Sequence, residues 1–356
     1  MATLEFANDL RHGWQTIQQT GDIMKAHRFA RHSFSHWAFG LAAVTTSAFF
    51  TPNSFAQAWP SKPVTIVAGV PAGGALDPFA RALADQLHKE TGGNFIVDNK
   101  PGANGNLSAE AVLKAPADGH TLWIGTQSMM TINPAAFATL RWKPSDFTPI
   151  IKSVEAPLVL VTHPSVAAND FAGLAKWIKD PANKAAYASF SPGTPSHFLG
   201  FQLNERLRAS MVHIPYRGSP PQVTDILGGQ VPLGFTQLAT AIPHVKEGKL
   251  KAIAVTSQQR SRYLPDVPTL AELGYKDLST TIWFGVFAPA ATPPAVLKAI
   301  RAAADKVHSD SGYRSRLEAL NFDIATENIP AFEATIATET QRWAALVKAT
   351  GFRATD

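Results

Sequence analysis

From Val64 to Thr350, short apolar runs alternate with stretches whose apolar positions recur every three or four residues. This is the pattern of βαβ units and largely parallel sheets. Val64 to Val70 is nearly continuous in apolar character and predicts a strand buried on both faces. Pro71-Ala72-Gly73-Gly74-Ala75-Leu76 cannot continue it and predicts a loop. Asp77 then stands as an N-cap before Pro78, and Phe79, Leu83 and Leu87 mark one helix face, which Gly92-Gly93 ends. The same alternation predicts strands at 95–99, 121–126, 158–162, 184–190, 212–216, 231–236, 250–256 and 281–288. Helices are expected at 107–115, 170–179, 196–209, 221–227, 241–247, 293–308, 311–319 and 330–349. So many strands are more than one domain usually carries in a single sheet, which predicts an α/β protein of two lobes. With no Gly/Ser-rich linker, strands should cross between the lobes, as in hinge-bending binding proteins.

The beginning of the chain breaks this pattern. After Met24 come Lys25, Arg28 and Arg31, then an apolar stretch from Phe34 to Phe50, then Ala56-Gln57-Ala58. A basic segment, an apolar segment and a small-x-small site are the parts of a cleaved secretory signal, which predicts export to the periplasm and a mature chain from Trp59. Residues 1–23 carry Glu5, Asp9 and Asp22 and are expected to be an over-extended start upstream of Met24. Removal of residues 1–58 lowers the net charge of +5 to +4, since four basic and three acidic residues go with them.

Composition narrows the chemistry. The 356 residues contain no cysteine, which excludes disulfides, thiolate nucleophiles and cysteine-based metal sites. Lys and Arg are scattered singly, with no basic run or basic helix face, so nucleic acid is not expected as a partner. Neither a P-loop nor a dinucleotide fingerprint is present. The sequence also lacks a G-x-S-x-G elbow and an H-E-x-x-H helix, and its histidines are dispersed. No catalytic residue, metal ligand or cofactor is therefore assigned. Trp142, Trp177, Trp283 and Trp343 are expected in the core.

Two strand–Gly loop–helix junctions remain as candidate chemistry, Val70 to Asp77 and Ser189 to His197. At such junctions the first helical N–H groups lack internal partners and the helix dipole adds partial positive charge, which together can hold a carboxylate. Tight βα turns need glycine in any α/β protein, so the loops alone do not establish a site. His197 reads first as a packing or capping residue at a helix start.

Together these segments resemble one family along essentially the whole mature chain: the Bug-type, TctC-like extracytoplasmic solute receptors of tripartite tricarboxylate transporters. The landmarks include Trp59-Pro60-Ser61-Lys62-Pro63, Val70-Pro71-Ala72-Gly73-Gly74-Ala75-Leu76-Asp77 and Asn99-Lys100-Pro101-Gly102-Ala103-Asn104-Gly105-Asn106. Ala117-Asp118-Gly119-His120 and Ile132-Asn133-Pro134-Ala135 follow. Gly193-Thr194-Pro195-Ser196-His197, His213-Ile214-Pro215-Tyr216-Arg217-Gly218-Ser219, Leu264-Pro265-Asp266-Val267-Pro268-Thr269 and Trp283-Phe284-Gly285-Val286-Phe287-Ala288-Pro289 come next in the same order.

The resemblance implies a two-lobed, type II-like periplasmic binding protein fold with a hinge and an interlobe cleft. Residues 59–157 plus 285–356 would form one lobe and 158–284 the other. It implies a monomer that captures a small organic anion, a carboxylate, for the membrane subunits of a tripartite tricarboxylate transporter. The alternatives are a ligand receptor for a signalling system and, below that, an exported hydrolase. By carry-over, the first-lobe contacts are Pro71, Ala72, Gly73, Gly74, Ala75, Leu76, Asp77, Thr126, Gln127, Ser128 and Asn133. Those of the second are Ser189, Phe190, Ser191, Gly193, Thr194, Tyr216, Arg217, Gly218, Thr236 and Gln237. The two helix N-termini, not a basic side chain, are expected to supply most of the charge recognition, with Arg217 the one cation that could replace them.

Three positions depart from the family pattern. Leu76 stands where threonine is frequent, Phe190 where small polar residues are, and Thr236-Gln237 where an Asp-Asn pair is. Each removes a polar or charged group, which moves the expectation away from amino acids and toward a less polar or aromatic carboxylate.

Overall fold

The structure is a computed structural model describing residues 59–74 and 76–354. The expected export signal and Ala75 lie outside the described residues. Among those described, no helix is long and apolar enough to cross a membrane.

The chain opens with β1 (Val64–Ala68), α1 (Leu76–Thr91), β2 (Phe95–Asn99), α2 (Asn106–Lys114) and β3 (Thr121–Thr126). A π-helical turn (Ser128–Ile132) and the short α3 (Asn133–Ala136) lead to β4 (Phe147–Thr162). Next come α4 (Phe171–Lys179), β5 (Ala186–Ser189), α5 (Pro195–Leu207), β6 (Val212–Pro215), α6 (Ser219–Leu227), β7 (Leu233–Gln237), α7 (Leu238–Lys246) and β8 (Lys251–Val255). The chain closes with β9 (Thr281–Pro289), α8 (Pro294–Ser309), α9 (Ser311–Ala319), β10 (Asp323–Ile324) and α10 (Ile329–Thr350).

The strands lie in the order β2-β1-β3-β9-β4-β7-β5-β6, with β8 and β10 also paired to β4. β1 is buried on both faces: Val64, Ile66 and Ala68 enter one core, and Val67 packs on the other side with Trp123 and Phe287. The α1 stripe Phe79, Leu83 and Leu87 covers the first core, and Phe332 of α10 joins the second. Trp142 and Trp283 are buried in the second core, Trp343 in a separate cluster with Phe198 and Phe137, and Trp177 packs partly buried against the first core.

The sheet is more mixed than the largely parallel arrangement predicted. β1 with β2 and β3, and β5 with β6 and β7, are parallel, whereas every pairing of β4 and β9 is antiparallel. The cause is β4, which runs over 16 residues rather than the five expected. Its early part contains Pro149, Lys152, Glu155 and Pro157, which interrupt an apolar pattern, and its register against β9 shifts twice there. Bulges absorb prolines and charges that a regular central strand would not tolerate.

Candidate functional site

In open α/β sheets, ligands bind beyond the carboxyl ends of the strands, where helices begin. Here the loops after β1, β2, β3, β5, β6 and β7 all open on one cavity of about 820 Å³. Residues 69–74, 101–105, 126–129 and 216–221 line it, together with Leu76, Phe190, Ser191, Pro192, Thr194 and Gln237. Ile282 and Phe284 of β9 complete the wall. Because α1, α2, α5, α6 and α7 begin at these loops, several positive dipole ends face one space. Among the described residues of the wall, Arg217 is the only charged side chain.

Most of the residues expected from sequence meet in this cavity: Pro71, Ala72, Gly73, Gly74, Leu76, Thr126, Gln127, Ser128, Phe190, Ser191, Thr194, Tyr216, Arg217, Gly218 and Gln237. Asp77, Asn133, Ser189, Gly193 and Thr236 do not line it. Asn133 is fully buried, where its amide donates to Asn104 O at 3.1 Å and Asn106 Oδ1 at 2.7 Å. It is a strut under the 101–105 loop, whose Asn104 holds a positive φ. Ser189 Oγ lies 2.7 Å from His213 Nε2 beneath the second Gly loop. Gly193 faces the Phe352 ring instead of the cavity. Thr236 is fully buried, and strand alternation turns only its neighbour Gln237 toward the wall.

Asp77 changes the reading of the first loop. It sits inside α1, one residue past its start, and not at the N-cap. Its carboxylate accepts the Gly73 N–H at 3.0 Å, the Arg81 guanidinium at 3.1 Å and the Asn99 amide at 3.1 Å. Burial pushes its pKa up, but those three donors outweigh burial and hold it below the ordinary value. Gly74 N–H donates to Pro71 O at 3.2 Å. The first loop thus carries its own anion, and the Gly73 and Gly74 amides already have partners.

The second half of the wall is arranged differently. Thr194 occupies the N-cap position of α5 without capping it, because its Oγ1 donates to Ser191 O at 2.6 Å. Gly193 N–H donates to His197 Nδ1 at 3.2 Å and Phe190 N–H to Ser196 Oγ at 3.1 Å, so neutral acceptors stand where Asp77 stands in the first loop. Gly218 reaches φ 109° ahead of α6, and Ser219 Oγ donates to Gln237 Oε1 at 3.0 Å. Tyr216 donates its hydroxyl to Asp225 at 2.7 Å, and burial followed by the Asp225 carboxylate pushes its pKa up to about 12. Arg217 is exposed on the wall and makes no ion pair or side-chain hydrogen bond among the described residues. Gln127 is anchored from behind: its amide donates to Glu339 Oε1 at 2.8 Å, and Trp283 Nε1 donates to Glu339 Oε2 at 2.9 Å. Burial pushes the Glu339 carboxyl upward.

Sequence reasoning missed the 101–105 loop, Gly69, Val70, Met129, Ser219, Pro220, Pro221, Ile282 and Phe284 as wall residues. The first had a signal, since Pro101-Gly102-Ala103-Asn104-Gly105 follows a strand much as Pro71 to Gly74 does. Ile282 and Phe284 had none, because a strand interior reads the same whether it faces a core or a cavity.

A family model described as tripartite tricarboxylate transporter family receptor matches residues 79–352. Among solved structures, the periplasmic binding protein BugD is 32% identical with a TM-score of 0.74, covering 83% of this chain and 99% of its own. Rpa4515 of R. palustris with adipate is 27% identical with a TM-score of 0.75, covering 83% and 99%. MatC from Rhodopseudomonas palustris with bound malate is 28% identical with a TM-score of 0.73, covering 81% and 100%.

Proposed function

Because the chain belongs to the tripartite tricarboxylate transporter receptor family and has the two-lobed, type II-like α/β fold of periplasmic binding proteins, we propose that it is a periplasmic solute-binding protein. It takes up a small carboxylate between its lobes and presents it to the membrane subunits of such a transporter, without chemical conversion. The observation that carries the reading is the cavity wall, where helix N-termini converge beside Arg217 and no described wall residue is acidic. Such a wall favours an anion over a cation. Relatives solved with adipate and malate support a carboxylate.

The lobes of this reading are residues 59–157 plus 285–356 and residues 158–284. In its support, β4 pairs with β9 from Phe147 to Pro157 and with β7 from Leu158 to Thr162, so its partner changes at the proposed boundary. The basic and apolar segments before Ala58 support export.

Thermal unfolding with matched pairs of carboxylates and their primary amides tests the charge recognition. A cognate acid at about 100 times its Kd should stabilise the protein by about 2.7 kcal/mol, and its amide far less. Equal stabilisation by acid and amide would exclude a carboxylate site.

A further inference from the structure

The charge in the cavity wall is confined to one wing of the sheet. Arg217 lies between β6 and α6 at the β5–β6 end of the strand order, and the adjacent Gly218 N–H donates to Phe190 O in the loop that precedes α5. At the other end, the loop ahead of α1 carries the Asp77 carboxylate, which accepts the Gly73 N–H. Apolar groups dominate between the two: Leu76 from the first wing, Ile282 and Phe284 from β9, and Phe190 from the cation's own wing.

We propose that the site selects a monoanion: a monocarboxylate with an uncharged, largely apolar body. The inference rests on the carboxylate reading above and narrows it. The carboxylate meets Arg217, and the body lies against Leu76, Phe190, Ile282 and Phe284. A second carboxylate on the ligand would find no second cation among the described wall residues and would rest on helix N-termini and neutral donors alone, whose partial charges offset its desolvation less than a guanidinium does as lobes close and water leaves. An ammonium group fares no better. The acidic side chains behind the wall are already bonded: Asp77 to Gly73, Arg81 and Asn99, Asp225 to Tyr216, and Glu339 to Trp283 and Gln127. Zwitterionic amino acids and dicarboxylates are both disfavoured, which departs from the adipate and malate of the solved relatives.

Calorimetry on the exported protein with six-carbon ligands of equal length separates the possibilities. Hexanoate should bind at least tenfold more tightly than adipate, 6-aminohexanoate or hexanamide, a difference of at least about 1.4 kcal/mol. Adipate or 6-aminohexanoate binding as tightly as hexanoate overturns the monoanion inference and leaves the carboxylate reading standing. Hexanamide matching hexanoate overturns the carboxylate reading itself. Should hexanoate and benzoate both fail while malate binds, the apolar body is wrong. Arg217→Gln provides a second arm, since Arg217 has no side-chain partner among the described residues and the unliganded variant should melt like the parent. It should weaken hexanoate at least tenfold and leave hexanamide unchanged. Equal effects on both ligands, or none, would remove Arg217 as the anchor and with it the proposal.

Discussion

His197 and His213 stack with ring centroids 4.1 Å apart beneath the second Gly loop, and Tyr187 stacks on the far side of His213 at 4.9 Å. Burial lowers the pKa of both histidines to about 4, and the neighbouring His213 charge adds to the effect on His197. The folded state therefore holds both rings neutral at pH values where an unfolded chain, with histidine near 6.5, takes up protons. Stability from this pair is fully present above about pH 6.5 and is lost progressively as pH falls toward about 4. The melting temperature should drop by several degrees between pH 7 and pH 5. His213→Phe keeps the stack but removes one titrating ring, so the drop should be smaller in the variant. An identical pH slope would place the acid sensitivity elsewhere, with His308, also lowered to about 4 by burial and then by Arg314, the next ring to replace.

At the level of elements, two junctions of the same sequence type end in different chemistry. Both are strand, Gly-containing loop and helix, yet the first closes on Asp77 and the second on the neutral Ser196 and His197. The difference is one carboxylate within reach of its own loop. Charge-assisted hydrogen bonds contribute about 1.5 to 3 kcal/mol each, and the half-exposed Arg81 adds little beyond the Gly73 and Asn99 bonds. Asp77→Ala should therefore cost about 3 kcal/mol or more in denaturant unfolding. Carboxylate affinity in the same variant should be unchanged or tighter, since Asp77 is not in the wall and its loss removes a negative charge from behind it. A variant of normal stability that no longer binds would return Asp77 to a ligand role. Asp77, expected from sequence at the N-cap, stands two positions past it because Leu76, an apolar residue, begins the helix. Leu76 is buried, and tertiary packing set the boundary.

Across the whole molecule, β4 and β9 are the strands shared by the two halves of the sheet, and the cavity lies beside them. If the lobes close around these strands, scattering at saturating ligand should show a smaller radius of gyration than the unliganded protein. Unchanged curves in the presence of a ligand proven by calorimetry would rule out closure. A further contact spans the proposed lobes: Phe352, just past α10, packs on His197 and Phe198 of α5 with ring centroids 5.1 and 5.8 Å away. Closure must either keep or remake this contact, and it sits directly under Gly193.

Local pattern was enough to determine the α/β class, nearly every helix and the Gly loops, which depend on period and on turn residues that act over a few positions. The contact positions named in advance rest on the family resemblance instead, and about three quarters of them line the cavity. Only the tertiary structure decided the sheet's mixed direction, because β4 extends through Pro149 and Pro157 by bulging against a β9 some 130 residues away in sequence. Only it could show that Ile282 and Phe284, both nine-tenths or more buried, border the cavity while Thr236 and Ser189 do not. The partners of the charges were decided there too: Asp77 reaches Asn99 on a neighbouring strand, whereas Arg217 reaches no partner among the described residues. Residue type announces that a charge is present, but whether it is neutralised depends on distances between segments that no local pattern encodes.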